Sequence, residues 1–328
     1  MWQNAAAFHM TTASRQQPAP FSRLAWAALG YTLLVVLFGA VVRITGSGAG
    51  CGQHWPSCQG EIVHLPRSLE TTIEYTHRLT SGAALLVVIA VAVVARRSFA
   101  PGHLARRAAN WAVLLMLVEA LIGAALVLLE LVGKNDSPAR AAVMATHLVN
   151  TSLLTAALAL SAWSGARADT PIWRLERGSA LLFAAALAGV LFVSVTGAVT
   201  ALGDTLYPLP PGADLSARLG HAQSHFLAQL RIVHPVLACL VGVLVAYYAL
   251  VLQRDARAPG VRGAARSLLV LVVLQIGAGI VNVLLSAPAW LQVVHLGLAT
   301  LVWLGLVLLG AAKATSLEPR LESRRLTG

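Results

Sequence analysis

The sequence predicts an all-α integral membrane protein: eight transmembrane helices arranged as two four-helix bundles in parallel repeat. Three observations carry that prediction. The 328 residues are 57% hydrophobic and only 11% charged, with a mean hydropathy of +0.73, which is too apolar for an ordinary soluble domain. Eight continuous apolar stretches each reach the length of about 20 residues that a helix needs to cross the hydrocarbon core. Short motifs in the first half recur in the second at a nearly constant offset.

The stretches lie near residues 24–44, 73–95, 108–132, 141–163, 178–202, 226–252, 267–287 and 289–312. Their runs are continuous rather than alternating, and a lone segment in lipid must satisfy its own backbone, so helices are expected. Residues 1–22 hold Ser, Gln and Pro and no apolar stretch, and are expected to form a cytoplasmic disordered tail rather than a signal peptide, with the first helix an uncleaved anchor. Residues 23–163 form the N-terminal four-helix half with an outer loop at 45–72; 164–177 form a cytoplasmic linker, 178–312 the C-terminal half and 313–328 a cytoplasmic tail.

Basic residues are retained on the cytoplasmic side. One set of loops and tails carries Arg15, Arg23, Arg96, Arg97, Arg106, Arg107, Arg167, Arg174, Arg177, Arg254, Arg257, Arg262, Arg266, Lys313, Arg320, Arg324 and Arg325, 17 of the 24 basic residues. Both termini are therefore expected inside a bacterial inner (plasma) membrane, with the loops at 45–72, 133–140, 203–225 and 288 outside. The net charge of +11 is explained by those cytoplasmic turns, and nucleic-acid binding is set aside.

The repeat is read from matched residues. Gly39-Ala40-Val41 matches Gly197-Ala198-Val199 at 158, His77 matches His234 at 157, and Glu119 with Gly123 matches Gln275 with Gly279 at 156; His147 matches His295 at 148, because the loop after the third helix is longer. Four helices per unit give both copies the same orientation. The four histidines then lie at similar depth below the outer surface, paired as His77 with His147 and His234 with His295, each pair able to ligate a haem standing between two helices. Taken singly, a membrane histidine is as readily a helix-to-helix hydrogen bond. Zinc would ask for four ligands in one cluster, whereas the repeat distributes these as two pairs.

The flanks of the first histidines differ. Glu74 lies one turn before His77, and Arg231 holds the same place before His234. The carboxylate could relay protons or interact with the helix dipole, and the arginine could neutralise a propionate. Arg43 and Arg78 are open between propionate contacts and interfacial anchoring. Glu119, with Gln275 as its mate, is read as a polar packing residue, protonated or hydrogen-bonded to a neighbouring helix, and Cys239 as a buried mid-helix residue. Cys51 and Cys58 are expected to form a disulfide in an oxidising compartment. Cys51, His54, Cys58 and His64 also have a zinc-like spacing, and an exposed disulfide could exchange.

Val42-Arg43-Ile44-Thr45-Gly46-Ser47-Gly48, the Cys51-to-Cys58 segment with Trp55-Pro56, Glu74-Tyr75-Thr76-His77-Arg78, Thr146-His147, the Arg231-to-Pro235 segment and Gln292-Val293-Val294-His295 together resemble the haem A synthase family over residues 24–312. The resemblance implies a membrane oxidoreductase that converts a methyl group of haem O to the formyl group of haem A for terminal oxidases. It implies that His234 and His295 ligate a haem b cofactor, that His77 and His147 belong to the substrate haem O site, that the family's essential glutamate is Glu74, and that its outer cysteine pair is Cys51 and Cys58. Some relatives carry a further cysteine pair in the second half; the 203–225 loop has none. A bis-histidine dihaem electron-transfer cytochrome is the competing expectation, and a haem-free transporter or assembly factor is disfavoured because the histidines cluster near one face. The partners implied are haem O, the lipid bilayer, an electron donor the sequence does not identify, and a transient contact with a haem O synthase.

Overall fold

The computed structural model describes residues 18–167, 174–210, 212–214, 225–255 and 259–315. Most of the expected N-terminal tail, the centre of the linker, part of the 203–225 loop and the C-terminal tail beyond Thr315 lie outside these residues, as do Arg15, Arg257, Arg320, Arg324 and Arg325. The described residues form eight long helices: α1 (Pro18–Ile44), α2 (Leu69–Ser98), α3 (Leu104–Leu128), α4 (Pro138–Ser164), α5 (Arg177–Leu206), α6 (Phe226–Asp255), α7 (Pro259–Leu284) and α8 (Ala289–Thr315). All eight are long and apolar enough to cross a membrane. No strand forms among the described residues.

The helices extend beyond the apolar stretches for local reasons. α1 starts at Pro18, inside the segment expected to be a tail, because Phe21 is buried edge-on against Phe99 at 5.0 Å and Ser22 donates to the Ala162 carbonyl at 2.9 Å. Ser68 caps α2 by accepting from the Thr71 amide, and Ser137 caps α4 by accepting from Arg140 with Pro138 preset in the first turn. α3 begins four residues early, where the His103 ring accepts from the Ala105 amide at 3.1 Å. It ends four early, because Glu130 turns left-handed at φ 55°. α7 likewise stops at Leu284, ahead of Ser286 and Ala287 at φ 59° and 57°. Hydropathy reports depth in the bilayer, and the polar first turns around Arg106 and Arg262 continue the helices past it.

α1 touches α2 and α4, and α3 touches both of those; α5 touches α6 and α8, and α7 touches both of those. The same closed ring of neighbours thus forms in residues 18–164 and in residues 177–315. α1 and α4 of the first ring meet α5 and α8 of the second. Trp303 of α8 donates to the Ser152 carbonyl of α4 at 2.7 Å across that seam. The interior is built largely from Ala, Val and Leu, while Leu34, Leu86, Leu121, Leu240 and Val273 stay exposed on the outside, as a lipid-facing surface requires. Cys239 belongs to that exposed surface; the expectation of a buried cysteine is corrected, because its helix face is not covered by another helix.

Candidate functional site

Each of the four histidines stands six to nine residues inside the start of α2, α4, α6 or α8, so the rings lie at one end of the bundle. His77 is within electrostatic reach of His147, and His234 of His295. The helices of each pair stand diagonally in one ring, each touching the same two neighbours. Small residues make room for three of them. A Cβ added at Gly39 would lie 3.2 Å from His77 Cε1, at Gly197 2.9 Å from His234 Cε1, and at Gly279 3.1 Å from His295 Cε1. Gly123, the repeat mate of Gly279, has nothing within 4 Å, so His147 is placed differently.

What stands behind each ring also differs. Thr196 Oγ1 lies 3.0 Å from His234 Nδ1, while Phe38 meets His77 edge-on with ring centroids 5.7 Å apart. Gln275 Nε2 lies 3.2 Å from His295 Nε2. Glu119 Oε1 lies 3.4 Å from His147 Nδ1, and its other oxygen accepts from Asn150 Nδ2 at 2.5 Å. The expected hydrogen bond from Glu119 to a neighbouring helix is present. Its place beside a histidine was missed, although the shared register of Glu119 and Gln275 was the signal.

Glu74 is buried at 3% exposure and does not stand alone. One oxygen pairs with Arg78, and the other accepts from the Cys51 amide at 2.8 Å. Arg78 also donates to the carbonyls of His54 at 2.5 Å and Ser57 at 2.6 Å. Thr71 and Tyr75 add hydrogen bonds to the Gly50 and Ile62 carbonyls, both at 2.9 Å. The outer loop is thereby strapped to the first three turns of α2. Within it Cys51 and Cys58 are joined as a disulfide, with both residues fully buried. The zinc alternative is corrected, because the bond occupies both sulfurs and His64 pairs with Glu61 at 3.0 Å. The expected exposure of that disulfide is corrected, since both cysteines are fully buried.

In the second half Arg231 pairs with Asp204 at 2.5 Å and donates to the Gly203 carbonyl at 3.0 Å; its other terminal nitrogen, Nη1, is buried and has no hydrogen-bond partner among the described residues. The sign reversal between Glu74 and Arg231 is thus matched by a local counter-ion on each side. Arg43 reaches across to the other half. Its guanidinium crosses between the rings, donating to the Ala201 carbonyl at 2.5 Å, to Thr205 Oγ1 at 2.6 Å and to Gln292 Oε1 at 3.0 Å.

The family model described as cytochrome oxidase assembly protein matches residues 22–307, which includes every histidine, carboxylate and arginine of this site. The chain belongs to that family. Among curated relatives, a "Protoheme IX farnesyltransferase" of Thermus thermophilus is 43% identical over 295 residues, 89% of this chain and 48% of the relative. A "Heme A synthase" of Alkalihalophilus pseudofirmus is 34% identical over 149 residues, 44% of this chain and 48% of the relative. A "Heme A synthase" of Bacillus cereus is 41% identical over 95 residues, 29% of this chain and 30% of the relative. The chain spans about half the length, or less, of these relatives.

Proposed function

We propose that the chain is a haem A synthase: a bacterial inner-membrane enzyme, with both termini cytoplasmic, that oxidises a methyl group of haem O to a formyl group. The observation that carries this reading is the placing of four histidines at one end of the bundle, two per ring of helices. We take the two rings as a parallel duplication, with residues 23–163 forming the substrate half and residues 178–312 the cofactor half.

The second half fits a haem b. Gly197 and Gly279 leave beside His234 and His295 the space a Cβ would fill, and Arg231 keeps one buried nitrogen without a partner that suits a propionate. His234 and His295 would hold the iron, and haem b when bound supplies a one-electron carrier. In the first half, His77 and His147 would hold the substrate haem O. Two successive two-electron oxidations of its methyl group, each replacing a C–H bond by a C–OH bond with the oxygen and the electron acceptor supplied from outside the chain, would give a hydroxymethyl group and then a gem-diol, which loses water to the aldehyde. Glu74 is our candidate for moving the proton or orienting the water, one turn before His77. It does so from within its pair with Arg78, so that the strapped loop and the reacting edge share one carboxylate.

A second reading comes from the relative named as a farnesyltransferase. That protein is about twice the length of this chain, so its name need not describe the matched part. The match does support a haem O synthase as the neighbour that hands over substrate.

Expression beside a haem O synthase in a host lacking haem A, followed by chromatography of extracted haems, tests the proposal. Hydroxylated haem O and haem A are expected with the wild type and a sharp fall with Glu74→Ala. Haem O left wholly unconverted by folded protein refutes the oxidising enzyme and leaves the dihaem cytochrome. Haem O formed from protohaem without the added synthase would favour prenyl transfer.

A further inference from the structure

The two halves place their histidines alike but hold them differently. Thr196 directs its single hydroxyl hydrogen to the Val193 carbonyl at 2.8 Å, so toward His234 Nδ1 at 3.0 Å it can only accept. The ring hydrogen is thereby fixed on Nδ1 and a lone pair on Nε2, the form in which an imidazole ligates a metal. Thr196 immediately precedes Gly197 as Phe38 precedes Gly39, so Phe38 stands at the corresponding place in the first half. A phenyl ring offers no acceptor, and His77 Nδ1 is buried with no hydrogen-bond partner among the described residues.

The second histidines show the opposite arrangement. Beside His147 stands the carboxylate of Glu119, 3.4 Å from Nδ1 though not in hydrogen-bond geometry with it, and itself gripped by Asn150 at 2.5 Å and by the Thr151 hydroxyl. Asn150 also donates to the Leu115 carbonyl at 2.9 Å, which locks the group between α3 and α4. A carboxylate behind a ligating imidazole orients it and raises its basicity. His295 meets only the neutral amide of Gln275, at Nε2, and its Nδ1 has no hydrogen-bond partner among the described residues.

We infer that His77 is the exchangeable ligand of the first half and His147 its retained one, whereas His234 is permanent. Glu119, Phe38 and Thr196 are the positioning residues, each acting through the histidine beside it. The inference rests on the proposed function and deepens it: substrate iron held by two histidines has no open position, and release of His77 opens one to a small ligand, opposite His147.

Carbon monoxide is the probe, added to the full-length, haem-loaded, dithionite-reduced protein and followed by difference spectroscopy. In the wild type one of two haem components is expected to bind it. Phe38→Thr should weaken that binding about five- to tenfold, the worth of one neutral hydrogen bond. Thr196→Val, of similar shape and without the hydroxyl, should admit carbon monoxide to the second component, and it decides the question if Phe38→Thr does not fold. Glu119→Gln should favour reduction of the first component about tenfold, a rise of ~59 mV for one electron. Two bound haems that both refuse carbon monoxide, or binding unchanged in both the Phe38 and Thr196 variants, overturn the inference and leave the proposed function standing. A protein that takes up no haem in either half overturns both.

Discussion

Arg78 ties four groups together, since its guanidinium meets Glu74 and the His54 and Ser57 carbonyls while Glu74 accepts from Cys51. Arg78→Leu would leave the buried Glu74 without its counter-ion, a change that costs about 3–5 kcal/mol where a buried pair is broken. A lower thermal midpoint and faster reduction of the Cys51–Cys58 disulfide are the expected outcomes, followed by thiol labelling. A second residue-scale prediction concerns pH. Tyr207 donates its hydroxyl to Asp136, and that bond holds Asp136 below the usual carboxylate range and Tyr207 above the usual phenol range. The depressed carboxylate contributes stability above its unfolded value and loses it as pH falls through the folded one; the raised phenol contributes below its unfolded value and loses it as pH rises through the folded one. The bond is at full strength at neutral pH. Both groups are exposed, so the effect is local. Amide hydrogen exchange across residues 131–137 should be faster in Tyr207→Phe than in the wild type at neutral pH, with the difference vanishing in strong acid. The histidines and Glu74 were legible as single residues. Their supports were not: Thr196, Phe38, Asp204 and Asn150 are ordinary helix residues until a neighbouring helix brings a partner to them.

At the scale of elements, apolar stretches located all eight helices but missed their ends. The ends are set by caps and left-handed residues, Ser68, His103, Ser137, Glu130 and Ser286, which a hydropathy window averages away. The outer loop shows how closely an element can be packed without apolar bulk. A Cβ at Gly50 would stand 2.6 Å from the backbone of Glu70 and Thr71. Gly50→Ala must therefore push the loop off α2, at a cost of about 1–3 kcal/mol. A lowered thermal midpoint in detergent checks it. By contrast, Gly197→Ala meets only the edge of the His234 ring, at 2.9 Å. That variant should keep its fold and lose haem from the second half, measured by pyridine haemochrome content per protein.

Across the whole molecule, the two rings are joined by α1 and α4 against α5 and α8, and few polar groups cross the seam. Arg43 is the principal one we find, with partners on α5 and α8 that include Gln292, one turn before His295. Because lipid offers no hydrophobic drive between helices, such hydrogen bonds and close packing carry the association. Arg43→Gln should lower the thermal midpoint, and it should do so with bound haem present. Orientation is tested by periplasm-active reporter fusions: activity is expected after Lys134 and none after Gly102, given where the basic residues fall.

By itself the sequence determined that the chain carries eight segments long and apolar enough to cross a membrane and which family's motifs it carries, and its internal register led to the proposed pairing of His77 with His147 and His234 with His295. Apolar length and spacing along a helix are one-dimensional quantities, so they survive in a string of residues. Only the tertiary structure decided what each functional group answers to: Glu74 to Arg78 and the loop, Arg231 to Asp204, Arg43 to the opposite half, His234 to Thr196 and His147 to Glu119. Apart from Arg78, one turn along the same helix, and the outer loop, those partners lie on other helices, up to 249 residues away for Arg43 and Gln292, and hydrogen bonds form only where packing brings donor and acceptor within about 3 Å.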